Sequence, residues 1–70
     1  MTVHQIILEI RNRRRLLQIT QGDLAELSGV SLRTIKAIEK GSANPKLDLL
    51  LRILEPLGLT LEITERVHNE

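Results

Sequence analysis

Seventy residues with ten Lys/Arg, nine Asp/Glu and a net charge of +1 leave room for one domain with a modest core. There is no cysteine, which excludes disulfide staples and thiolate metal sites, and no Phe, Tyr or Trp, so the core must be Leu, Ile, Val and Ala. The start of the chain lacks a basic-then-apolar leader pattern, and no apolar run approaches the roughly 20 residues that span a bilayer, so the expectation is a soluble, cytoplasmic protein.

Charge is unevenly placed. Residues 1–45 hold seven Lys/Arg against four acids, and residues 46–70 hold three against five. In chain order, Thr2 and Gln5 have the spacing of a capping box, and Ile6, Ile7, Ile10, Arg14 and Leu17 recur at helical spacing to about residue 17. Thr20 reads as a second N-cap, with Asp23 placed at the positive helix end. The second helix covers about residues 21–28 and is expected to bury Leu24 and Leu27. Gly29 stands where a chain leaving a helix adopts positive φ, and Ser31 caps a third helix over about residues 32–40, ended by Gly41. A fourth helix starts at residue 46 or 47 and runs to 57, burying Leu47, Leu50, Ile53, Leu54 and Leu57, with Pro56 and Gly58 closing it. After Gly58 the period changes to two, which predicts a strand over residues 60–66.

The pair of helices within residues 20–40 carries the functional signal. On a wheel of about 100° per residue, Ile35 and Ile38 define the buried side of the third helix. Arg33, Ala37 and Lys40 point the opposite way, Lys36 lies beside them, and Leu32 and Thr34 lie on the flanks. A cationic face with a small residue at its centre lets a backbone approach a groove floor, and the Ala37 methyl can meet a thymine methyl. Arg33 can donate two hydrogen bonds to guanine, and Lys36 and Lys40 reach bases or phosphates. Each charge taken singly is more often a solvated surface group. More specific is the combination counted from Gln21: Gln first, Ala fifth, Gly ninth, and aliphatics tenth, fifteenth and eighteenth.

The segment ITQGDLAELSGVSLRTIKAIEKGSANP resembles the Cro- and lambda-repressor-like, or XRE, helix-turn-helix family, and the likeness runs over about residues 10–59. It implies a mainly α, compact four-helix DNA-binding domain over residues 1–70. It also implies a phosphate contact at Gln21, base contacts at Leu32, Arg33, Lys36 and Ala37 with Ser31 joining that set, and backbone contacts at Lys40, Ser42 and Asn44. The family often pairs an arginine of the first helix with the glutamate of IEKG, here Arg14 and Glu39. Two positions depart from the pattern. Gln18 stands where a glycine often ends the first helix, and Leu32 stands where many relatives are polar, which leaves it a thymine methyl or internal packing.

Arg14 falls on the apolar side of its helix, and Glu39 lies about 40° from Ile35. Two partly buried opposite charges are tolerable only when paired, which makes this a structural ion pair. Arg11, Arg13 and Arg15 either lie along the phosphate backbone or solvate the first helix. The lone strand has no partner in the chain, and single strands are not stable. The economical solution is a homodimer in which residues 59–66 pair antiparallel across a twofold axis, Leu59, Leu61 and Ile63 extending the core; the alternative is a loose tail on a monomer. A dimer suits a palindromic operator in double-stranded DNA. This layout is similar to HipB-like antitoxins, which implies a HipA-like kinase toxin as a partner. The reading is therefore a repressor, autoregulatory as part of a toxin–antitoxin pair. The alternative is an interaction module that neutralises a toxin.

Enzymatic chemistry is not expected. There is no Ser/His/Asp set and no Gly-rich phosphate loop. His4 and His68 lie near opposite ends without ligand partners, so neither metal nor cofactor is expected, and Glu62 and Glu65 read as solubilising charges. The first helix lacks the aromatic anchors of a membrane-surface helix.

Overall fold

Four helices and one 3-10 turn build the protein in the computed structural model, which describes residues 1–67. They are α1 (Val3–Leu16), α2 (Gln21–Ser28), α3 (Leu32–Lys40), α4 (Leu47–Leu54) and the 3-10 turn Glu55–Leu57. His68 lies outside the described residues.

Local chemistry sets the helix starts. The Thr2 hydroxyl accepts from the Gln5 N–H at 3.2 Å while the Thr2 N–H donates to Gln5 Oε1 at 2.7 Å, a complete capping box. Thr20 and Asp23 repeat the device at 2.9 and 2.8 Å. That Thr20 N–H bond holds the Asp23 carboxyl below its ordinary pKa. Ser31 caps α3 by accepting from the Thr34 N–H at 3.1 Å. The helix ends are as regular. Gly29, Gly41 and Gly58 all take left-handed φ, and Gln18 does the same at φ 57, the only non-glycine among the described residues to do so. At that exit the Gln18 N–H donates to the Arg15 carbonyl and the Ile19 N–H to the Arg14 carbonyl, so Gln18 occupies the position a Schellman turn reserves for glycine.

The core is aliphatic throughout: Ile7 and Ile10 of α1, Leu24, Val30, Ile35 and Ile38 of the α2–α3 unit, and Leu50, Ile53, Leu54 and Leu57 from the fourth segment. Two expected core residues are not in it. Leu27 is 63% exposed and Leu47 is 64% exposed. In α2 the buried arc is turned toward Ser28, whose hydroxyl donates to the Leu24 carbonyl at 2.6 Å and accepts from the Val30 N–H at 3.3 Å. Because Ser28 is satisfied by its own turn, it can sit inside, and Leu27 rotates to solvent. Leu47 projects from the first turn of α4, ahead of the core, while Leu49 packs against the core edge.

The fourth helix stops at Leu54, three residues short of the expected end, and the chain tightens into the 3-10 turn that contains Pro56. Proline has no N–H to continue the α ladder, which accounts for the change. The expected strand over residues 60–66 is absent from the single chain, where residues 59–67 form no helix or strand. A strand needs a hydrogen-bonding neighbour, and none of the described residues supplies one. Leu59 and Leu61 instead pack against the core edge, while Ile63 is fully exposed.

Candidate nucleic-acid interface

Three arginines hold the frame of the site. Arg14 and Glu39 meet in a two-pronged contact, with Nε to Oε2 at 2.7 Å and Nη2 to Oε1 at 2.8 Å. Their side chains are only 11% and 5% exposed. The remaining Arg14 arm donates from Nη1 to the Ile19 carbonyl at 2.9 Å, so one guanidinium joins α1, the α1–α2 connection and α3. Glu39 is also reached by Gln21 Nε2 at 3.3 Å. Burial pushes the Glu39 carboxyl up, but the Arg14 and Gln21 hydrogen bonds, with the charges of Arg14 and Arg11, hold it below its ordinary value. The Glu39 hydrogen bond raises Arg14 in turn, so both members stay charged.

Arg13 donates from Nε to the Leu57 carbonyl at 2.9 Å and ties α1 to the 3-10 turn. Arg52 donates from Nη2 to the Gly29 carbonyl at 2.8 Å and ties α4 to the elbow between α2 and α3. Both bonds join residues far apart in sequence, 44 and 23 positions. The legible hint for each was only that a carbonyl at a helix end needs a donor from somewhere.

The outward side of α3 is open. Arg33, Lys36 and Lys40 are exposed and Ala37 is partly exposed between them; no other part of the described chain covers this face. Leu32 is 40% exposed and divides its surface between packing and solvent. The other expected contact residues are already engaged to different degrees. Ser31 spends its hydroxyl proton on Thr34 Oγ1 at 2.8 Å, and Ser42 donates to the Ala37 carbonyl at 3.2 Å. Gln21 gives one amide hydrogen to Glu39 and keeps the other.

Gln21, Lys36 and Lys40 border one groove of about 560 Å³ between the end of α1 and α3. Asn44 does not join them; it lines a separate hollow with Thr34 and Pro45. Of Arg11, Arg13 and Arg15, which the sequence leaves between phosphate contact and solvation, Arg13 braces the fold while Arg11 and Arg15 line the cationic groove. Their spacing of four with Arg14 between them puts them on one helix face, a signal that needed the position of α3 to become meaningful. Among the described residues no group of His, Asp and Glu is arranged to hold a metal, and no helix is long and apolar enough to cross a membrane.

Capped α2, a left-handed glycine, and α3 with a buried Ile35/Ile38 side and an open cationic side together define a helix-turn-helix. The helix-turn-helix family profile matches residues 10–63, and the chain belongs to this family, in its XRE-type branch. An "Uncharacterized HTH-type transcriptional regulator" of Haemophilus influenzae is 48% identical over 65 residues, covering 91% of this chain and 66% of its own length. Proteins of the same description from Methanocaldococcus jannaschii and Methanothermobacter thermautotrophicus are 43% identical over 54 residues and 49% identical over 49. These alignments cover 77% and 70% of this chain, and 82% and 71% of the archaeal proteins. The chain thus spans just under two thirds of the Haemophilus relative. No solved structure matches it significantly.

Proposed function

We propose that this protein is a sequence-specific DNA-binding transcriptional regulator that reads base edges in the major groove with α3. The observation that carries the reading is the uncovered face of Arg33, Lys36, Ala37 and Lys40, set on a helix whose opposite side is locked into the core. A free fork of guanidinium donors suits guanine, a small residue permits close approach, and ammonium groups on either side suit phosphates. Arg33 is the specificity residue; Gln21 and Lys40 position the duplex, with Ser31, Leu32, Ser42 and Asn44 along the same contact. The names of the relatives support regulation of transcription as the outcome.

The finer reading is a repressor homodimer on a palindromic operator, with residues 59–66 pairing across the twofold axis. Ile63, fully exposed beside the half-buried Leu59 and Leu61, supports a second copy at this end. Two recognition helices about 34 Å apart then read half-sites one turn apart. Selection from random duplexes with purified protein tests both levels. A palindromic motif is expected. Replacing Arg33 with Ala should relax preference at one base step by roughly 1–3 kcal/mol, whereas replacing Lys40 should weaken all sequences alike. Failure to enrich any sequence would remove the proposal, and copurification of a larger kinase-like protein would favour the toxin-neutralising module.

A further inference from the structure

The arginines of α1 divide into two kinds. Arg13 and Arg14 spend their guanidinium groups inside the fold, on the Leu57 carbonyl, the Ile19 carbonyl and Glu39. Arg11 and Arg15 have no side-chain hydrogen bond or salt bridge among the described residues, and neither do Lys36 and Lys40 across the groove. Four cations therefore face one open space of about 560 Å³, and the only fold charge acting on any of them is that of Glu39 on Arg11. The single carboxylate in its wall, Glu39, is already matched by Arg14. Folding alone gains nothing from gathering like charges, since repulsion at this range is unfavourable. The amide of Gln21 reaches the same space. The groove is open to solvent, and the exposed Lys36 and Lys40 of α3 stand in its wall.

We infer that this groove seats a backbone phosphate of the duplex, held by Arg11 and Arg15 from α1 and by Lys36 and Lys40 from α3. The inference rests on the DNA-reading proposal and extends it: α1 is part of the contact surface, and the stripe of Arg11 and Arg15 adds affinity without adding base preference. Phosphate neutralisation releases condensed counterions, so its signature is the slope of log affinity against log salt, about 0.9 per phosphate neutralised.

The experiment uses the full chain and a duplex selected by the wild-type protein, with affinity measured by fluorescence anisotropy across a salt series. The double variant R11Q/R15Q is expected to show a slope shallower by about 0.9, the contribution of the one phosphate the groove seats. Its affinity should fall at low salt by about tenfold or more, the gap closing as salt rises. Its ranking of duplexes with single base changes should match the wild type, and R11K/R15K should recover most of the slope. A folded R11Q/R15Q protein with the wild-type slope overturns the inference. Should the double variant not fold, Arg15→Gln alone, at an exposed side chain, carries the same test: a measurably shallower slope supports the inference and an unchanged slope overturns it. Wild-type protein that selects no duplex ends the DNA-reading proposal itself, whereas a selective wild type with an unmoved variant slope ends only the role given to α1.

Discussion

Arg14 and Glu39 bind each other through two short contacts at 2.7 and 2.8 Å with little water around them. Removing either partner leaves the other buried and uncompensated, a loss of roughly 3–5 kcal/mol. A domain of this size has a total stability of only about that order. Arg14→Ala and Glu39→Ala are each expected to unfold the protein or lower its melting temperature steeply in thermal denaturation followed by circular dichroism. The pH dependence follows from the direction of the Glu39 shift. Its carboxyl is held below the ordinary value when folded, so its stabilising contribution is complete above the ordinary glutamate range. That contribution is lost as pH falls through the folded value. Melting temperature should therefore drop on acidification below the ordinary range, and Glu39→Gln should start lower and flatten that part of the profile. Gln18 is the opposite case, a residue the fold tolerates at a cost. A side chain at φ 57 is strained by about 1–2 kcal/mol, part of which glycine gives back through its freer unfolded chain. Gln18→Gly is expected to raise stability by about 0.5–1 kcal/mol, read from chemical denaturation.

The elbow between α2 and α3 is the element on which the reading surface depends. Gly29 holds φ 72 there, and a Cβ built on it would lie 2.9 Å from Arg52 Nη2, the group that donates to its carbonyl. Gly29→Ala thus meets two penalties, backbone strain and displacement of the brace. The expected result is a lower melting temperature for Gly29→Ala that is only partly relieved in Gly29→Ala/Arg52→Ala, because removing the long side chain cannot change the sign of φ. The caps at Thr2, Thr20 and Ser31 and the left-handed glycines were readable because they depend on a few neighbouring residues. The face of α2 was not. Leu27 reads as core on hydrophobicity, but burial in an eight-residue helix is decided by where α3 and the 3-10 turn pack on α2, and the buried residues there are Leu24 and Ser28. The ion pair could be reasoned from two charges on apolar arcs. The Arg13 and Arg52 braces could not, since each guanidinium seeks a main-chain carbonyl and every residue offers one. For the same reason the division of Arg11, Arg13 and Arg15 into groove and frame needed coordinates.

At the scale of the whole molecule, the apolar edge beyond Gly58 separates two architectures, and Ile63 is the residue that distinguishes them. Leu59 and Leu61 already contribute to the core of the single chain, so deleting the segment would disturb folding and association together. Ile63 is fully exposed among the described residues. Ile63→Asp is therefore expected to leave the melting temperature at low protein concentration unchanged, shift sedimentation toward the monomer, and weaken binding to a two-half-site duplex more than to a single half-site. A variant that remains dimeric would remove the strand-pairing arrangement. The coarse architecture of helices was legible from periodicity, whereas residues 60–66 alternate as a strand does but have no ladder within one chain.

Left-handed residues at the four chain reversals also limit how the molecule adapts. Connections of four, three and six residues separate consecutive helices from α1 to α4, and the first two are pinned by Arg14 on Ile19 and by Arg52 on Gly29. Such joints have almost no slack, so α3 is delivered to its target at a preset tilt, like a key cut on a solid blank. In the proposed dimer, tolerance for operators with altered half-site separation then has to come from the stretch following the last of those reversals.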